Sequence, residues 1–416
     1  MKNILCVSLI MIVLDCGAFA ADADNWPVWR GPAYNGVCNG RDFPTRWSQS
    51  ENVAWKAPLP AGSGSTPIVW GDFIFVSSTE QGKNTLLCFD HAGKERWRKP
   101  IGDERKAKHN KKGGGAHPSP ATDGKYVFAY YKSGDLACLD FAGEIVWHKS
   151  LQSLYGDDTL WWDLGTSPVL TGKCVVVAVM HDKPSYLVAF DKQTGEVAWK
   201  IDRNMDVPRE ANHSYTTPLV LQEGGVETIY VLGADHVTAH NGADGSELWR
   251  VGGLNPAGDE HFRSIASPVV SDGILVAPYA RGRTLTAIRL GGSGDITNTH
   301  VAWSGRDIST DVPTPAATGG RLYVCSDGGR VACLDIRTGA EIWAGRLDGS
   351  FSCSPIIVDG KIYVTNEAGQ TYVLEQGEAF KVLAANDLGE FTLATPVFTR
   401  NHILIRTFKH LYSIGK

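Results

Sequence analysis

No Cys-x-x-C pair occurs anywhere in these 416 residues, and no His/Cys spacing matches a zinc site. Past the first twenty residues no stretch is apolar enough to cross a bilayer as a helix, so no transmembrane segment is expected. No sign of charge dominates. Lys and Arg number 40 against 45 Asp and Glu, for a formal net charge of −5. So mild a balance favours solubility and argues against nucleic-acid binding. No nucleophile–base–acid order can be read either. Ser214 adjoins His213, but neighbours on a strand point to opposite faces.

The first twenty residues read as an export signal. Lys2 gives a positive start, residues 4–14 form an apolar run too short to span a membrane, and Ala18-Phe19-Ala20 fits a cleavage site. A mature chain beginning at Ala21 is expected to be periplasmic or secreted. The competing reading makes Cys16 a lipidated cysteine, although Asp15 stands where a small residue is usual. Cys6 and Cys16 belong to this segment, which leaves seven of the nine cysteines, an odd number that cannot all pair.

What the chain has is a repeat. Eight Ser/Thr-Pro pairs open short apolar runs, with prolines at 67, 120, 168, 218, 268, 315, 355 and 396. The steps of 53, 48, 50, 50, 47, 40 and 41 residues match one four-stranded blade each. The expected fold is therefore all-β, an eight-bladed β-propeller. Residues 1–20 are assigned to the signal, 21–51 to an N-terminal strap and 52–416 to the ring.

Blade 3 shows the unit, with strands expected at 167–171, 173–180, 186–191 and 196–201. In the turn before its last strand, the Asp191 carboxylate can accept backbone N–H groups and Gly195 can take a positive φ. Trp199 then offers a large apolar body to a neighbouring sheet. The frame recurs as Asp335, Gly339 and Trp343. Blade 5 has a longer turn over 291–299 before Trp303. Blade 7 lacks the Trp, with Phe380 or Val382 expected in its place. Cys88, Cys138 and Cys333 share one repeat position, where blade 3 has Ala189, so that position is read as a small buried slot.

The last repeat ends after three strands, while residues 52–57 form a lone strand bearing Trp55 near the start. Pairing the two completes the eighth blade, closes the ring and hides strand edges.

The phrase AFDKQTGEVAWK (189–200) closely matches A-x-D-x-x-T-G-x-x-x-W, and CLDIRTGAEIWA (333–344) differs only in its first residue. The chain thus resembles the PQQ-like (quinoprotein-like) β-propeller repeat family, over roughly residues 52–416. Two branches matter. One holds dehydrogenases that bind pyrroloquinoline quinone and calcium at the ring mouth. The other is similar to the propeller subunit of the outer-membrane β-barrel assembly machinery, a binding scaffold without catalysis. The opening WPVWRGP (26–32) looks like the start of BamB-like secreted propellers and reads as an apolar strap across one face. The dehydrogenase branch carries adjacent cysteines over its cofactor and large insertions. This chain has neither.

The residues just before each Ser/Thr-Pro pair are expected at the channel mouth. They give a candidate ligand site of His117, Trp161, Trp162, Asp163, His213, Tyr215, His261, Arg263 and Asp311, with Arg281 on the same face. Against this stands a plain hydrated channel lined by polar residues. An anionic small molecule suits the arginine and histidines, and Asp163 and Asp311 could orient a cation. A basic run at 105–112 reads as a solvated loop or as a contact with an anionic partner. The first functional reading is a non-catalytic scaffold for a protein or envelope partner, with no catalytic residue, metal or cofactor assigned. The alternatives are a quinoprotein-type oxidoreductase using pyrroloquinoline quinone and calcium, and a sugar- or metabolite-binding module.

Overall fold

The computed structural model describes residues 24–416 apart from His109, Asn110, Ala280 and Arg306. The expected signal, its cleavage site and Cys16 lie outside the described residues, as do His109 and Asn110 of the basic run.

Eight antiparallel blades follow one another along the chain, and the fold is an eight-bladed β-propeller. In blade 3 the strands Val169–Leu170, Cys174–Val179, Tyr186–Asp191 and Val197–Asp202 lie side by side in that order. The two middle strands are rich in β-branched and aromatic residues and are buried on both faces. The outer strand is exposed or half-buried except at Trp199, because it meets solvent. Val53–Pro58 pairs antiparallel with His410–Ile414, with Lys56 opposite Tyr412, so the eighth blade takes its outer strand from the start of the chain.

Two blades gain a fifth strand. Val37–Cys38 lies parallel to Ile356–Val358 of blade 7. Gly294–Asp295 lies parallel to Glu247–Val251 of blade 4. This second addition is the long turn before Trp303: it reaches back onto the preceding blade before a helical turn, Thr297–His300, leads into the outer strand of blade 5.

Consecutive blades are joined at two radii. On the outside, a tryptophan Nε1 donates to a carbonyl in the next blade's turn: Trp55 to His91, Trp97 to Phe141, Trp147 to Lys192, Trp199 to Gly242, Trp303 to Ile336 and Trp343 to Gly377, at 2.7–3.2 Å. The receiving turn is built for this. Asp191 Oδ1 accepts the backbone N–H groups of Gln193 and Thr194, both at 2.9 Å, and Asp335 accepts those of Arg337 and Thr338 at 3.0 and 2.8 Å. Gly195 has φ +69°, and a Cβ there would lie 2.6 Å from the Trp147 ring, so both the backbone and the neighbour demand glycine.

In blade 7 the register sets Ala384 opposite Val373, the place that Trp343 takes opposite Cys333 in blade 6. The expectation of Phe380 or Val382 there is therefore corrected. Ala384 shares a core cluster with Trp47 of the N-terminal segment, whose ring stacks on Tyr363 of blade 7 at 6.4 Å. Phe380 instead packs on Trp343, and Val382 is exposed.

On the inside, the Ser/Thr-Pro hydroxyls form a collar. The backbone N–H of each such Ser or Thr donates to the hydroxyl of the next blade's, from Thr66 to Ser119 and on through Ser167, Thr217, Ser267, Thr314 and Ser354 to Thr395, at 2.8–3.1 Å.

The core lies between blades. Each joint from blades 1 and 2 through blades 6 and 7 has its own apolar cluster. Cys88, Cys138, Cys333 and Ala189 fill the shared slot with no exposure, and all seven described cysteines are free and buried.

Candidate functional site: a blind well on the axis

The N-terminal segment crosses one end of the channel. Trp26 bridges to Val69 of blade 1, and the Pro27 carbonyl accepts Thr122 of blade 2. Arg30 donates to the carbonyls of Pro315 and Pro355, at 2.9 and 3.0 Å, on blades 6 and 7. Asp24 accepts from Thr399 of blade 8 through its carbonyl. Trp29 thereby becomes the floor of a well of about 520 Å³, with the hydroxyls of Ser119, Ser167, Thr217, Ser267, Ser354 and Thr395 around its waist. The opposite end is open, and its walls carry His117, Trp162, Asp163, Tyr215 and Arg263 together with Ile265, Val312 and Leu393.

Five of the ten candidate residues thus line one cavity. Trp162 donates from its backbone to the Tyr215 hydroxyl at 3.0 Å, and its Nε1 donates to Glu210 at 3.1 Å. The Arg263 guanidinium lies 5.9 Å from the Trp162 ring centroid and donates to Asp311 at 3.0 Å. His117 Nδ1 accepts the Gly64 N–H at 2.8 Å, which leaves the proton on Nε2. Desolvation pulls His117 down to about 4, so at neutral pH this ring is an uncharged N–H donor. Its Nε2 makes no hydrogen bond of good geometry, although the Lys112 backbone lies near enough to favour protonation.

The other five stand back from the well. His213 is fully buried, with Trp161 edge-on against it at 5.3 Å. Its Nε2 lies 3.3 Å from Asp182 but outside hydrogen-bond geometry. His261 is half exposed, beside Asp259 and Glu260. Arg281 reaches around the rim to Glu210 at 2.7 Å. Asp311 acts through Arg263, and desolvation pushes its carboxyl above the usual range. The segments of Trp161, His213, His261 and Asp311 do reach the well, but through their neighbours Trp162, Tyr215, Arg263 and Val312.

Two charged groups escaped the sequence reading. Glu210, 1 % exposed, ties Trp162 and Arg281 to one carboxylate and lies 3.6 Å from Arg263. Lys132, also 1 % exposed, pairs with Asp163. Asp163 further accepts the Lys108 N–H at 3.0 Å, which fixes the start of the basic run against the mouth. Neither residue sits in the repeat frame. The only trace of Glu210 in the sequence is its place three residues before His213.

Calcium takes about six to eight oxygen ligands. Here Asp163 and Asp311 are each engaged by a cation, Lys132 and Arg263. Among the described residues no three His, Cys, Asp or Glu converge on a metal position. The donor set therefore does not fit a calcium-bound quinone.

A family model described as outer membrane protein assembly factor BamB matches residues 82–220, 165–307 and 295–382. The chain is 24% identical, over 82% of its length and 80% of the relative's, to the outer membrane protein assembly factor BamB of Shewanella oneidensis. Its fold is similar to that of BamB from Moraxella catarrhalis, with TM-score 0.63, 16% identity and coverage of 87% of this chain and 99% of that one. It is also similar to a europium-containing methanol dehydrogenase, with TM-score 0.71, 11% identity and coverage of 94% and 91%. At such identities the two structures share the fold alone. The overlapping matches run from residue 82 to 382, well over half the sequence, and on them the chain belongs to the family described as outer membrane protein assembly factor BamB.

Proposed function

We propose that this protein is a non-catalytic propeller that binds a protein partner in outer-membrane assembly, working in the periplasm after export by residues 1–20. Residues 52–416 form its ring and residues 21–51 the strap that closes one end. The observation that carries this reading is the aromatic rim of the open end. Trp161 and Trp162 are 43% and 42% exposed, on the same connection as the exposed Leu154. Large exposed aromatics with fixed ring positions are the residues that dominate protein–protein contacts. Both rings are held in advance, Trp161 against His213 and Trp162 by Tyr215 and Glu210, so little side-chain freedom is lost on docking. Family membership points to the same role.

A photo-reactive residue at position 161 tests this in cells. It should give a discrete cross-linked protein, whereas the same residue at Val197, exposed on an outer strand, should not. Changing Trp161→Ala and Trp162→Ala together should weaken the isolated pair by at least about tenfold. The dehydrogenase-like fold keeps a second assay in view: purified protein with pyrroloquinoline quinone and calcium. Saturable dye reduction there would overturn the scaffold reading.

A further inference from the structure

Among the described residues, Arg30 and Arg406 near the well have no carboxylate partner. Arg30, 1 % exposed, is held by the carbonyls of Pro315 and Pro355, which directly follow the collar residues Thr314 and Ser354. Arg406, with no exposure, is held by the carbonyls of Ser65, Ser77 and Ala61, the first directly before the collar residue Thr66. Burial lowers both to about 9, so both remain charged at neutral pH. A buried cation without a counter-ion is expensive, and its field persists in the low-dielectric surroundings.

The carboxylates of the open end cannot cancel that field, because each is already engaged. Asp163 faces Lys132, Asp311 faces Arg263, Glu210 faces Arg281 and Glu367 faces Lys112. Asp327 accepts the N–H groups of Asp311 and Val312.

Donors, by contrast, remain uncommitted. The collar hydroxyls accept N–H bonds, while no acceptor is seen for their own protons among the described residues. Among the described residues Arg263 Nη1 is buried and makes no hydrogen bond, His117 Nε2 has only the Lys112 backbone beside it, and Lys111 lines the well. Between these donors the wall is apolar or aromatic, from Trp29 through Ile265, Val312 and Leu393 to Trp162. A well of about 520 Å³ has the size of an ordinary small-molecule site.

We propose that this well binds a small organic anion, a carboxylate or phosphate carried on an apolar body, without a metal ion. The anionic group sits among Arg263, His117 and the collar hydroxyls, and the apolar body lies against Trp162 and the aliphatic wall. The well shares Trp162 with the proposed docking rim, but Trp29, the collar hydroxyls and Leu393 line the well while Trp161 does not, so Leu393→Trp tests the well apart from the rim.

Calorimetry and tryptophan fluorescence on the mature protein decide it, with phenylacetate, phenyl phosphate and neutral phenylacetamide as probes. At least one anion should bind one-to-one, at least about tenfold tighter than the amide. The two anions tell which headgroup is taken. Arg263→Met should weaken that anion by at least about tenfold. Leu393→Trp, which fills the well and leaves the charges in place, should abolish binding while the variant still melts cooperatively. It keeps the question decidable if Arg263→Met does not fold. Equal binding of the amide, no saturable binding of either anion, or unchanged binding in a folded Leu393→Trp would each overturn the proposal.

Discussion

Seven joints of this ring and its seam solve the same problem differently. At a joint such as blades 2 and 3, a tryptophan docks on the outside (Trp147 on the blade 3 turn), a collar bond links Ser119 to Ser167, and one apolar cluster fills the gap. At the seam between blades 8 and 1 the tryptophan dock survives, with Trp55 on the carbonyl of His91. The collar does not: Thr66 Oγ1 is buried with no hydrogen-bond partner among the described residues. In its place Arg406 reaches from blade 8 to three carbonyls in and before blade 1. The apolar cluster there spans blades 7, 8 and 1 and recruits Trp26, Phe43 and Trp47 from the N-terminal segment. The covalent chain crosses every joint, including this one, where Val53–Pro58 of blade 8 leads into Ile68–Trp70 of blade 1. The break lies inside blade 8, where Val53–Pro58 meets His410–Ile414 by non-covalent contacts alone, and this region has been given a larger core and a buried cation.

The largest effect should come from cutting the latch. Deleting residues 50–58 removes the strand Val53–Pro58 and exposes the edge of His410–Ile414. That variant should be unstable or aggregate, as scattering and thermal melts would report. A truncated form that melts like the full chain would break the comparison.

Arg406→Met comes next. It strands the carbonyls of Ser65, Ser77 and Ala61 in the interior, at about 3 kcal/mol by denaturant unfolding. The loss should exceed that from any single collar hydroxyl.

The seam should also respond to acid. Burial opposes ionisation of Glu390, but hydrogen bonds from Thr407, His410, Lys56 and Tyr412 outweigh it and hold the carboxyl at about 2. A folded-state value below the unfolded 4.5 means stability that is present above pH 4.5 and lost as pH falls toward 2. Because Lys56 belongs to the latch strand, this loss falls on the seam. Glu390→Gln should be less stable than the parent at pH 7, and the gap should shrink between pH 4.5 and 2.

The repeat made most of this architecture legible. Eight Ser/Thr-Pro pairs give eight blades, and an unpaired strand at each end gives the closure, because blades repeat their chemistry position by position. The well was legible only in part. Trp162, Asp163 and Arg263 stood out as unusual residues before a repeated mark, and His117 and Tyr215 beside them. Glu210, Lys132, Arg30 and Arg406 did not, since each occurs once and none lies in the frame. Their partners come from other blades at separations such as 31 residues for Lys132 and Asp163 and 329 for Arg406 and Ser77, which no local pattern reveals. Ala384 stands where Phe380 or Val382 is expected for a related reason: Trp47 of the N-terminal segment shares its core cluster, over 300 residues away in the chain.

The smallest expected effect is also the most direct test of the seam. Thr217→Val at an ordinary joint removes the acceptor of the Ser167 N–H and should cost about 1–2 kcal/mol in denaturant unfolding. Thr66→Val replaces a hydroxyl that has no partner with a methyl of similar shape, and should be neutral or stabilising. Equal losses for the two substitutions would contradict a collar that is open at one joint only.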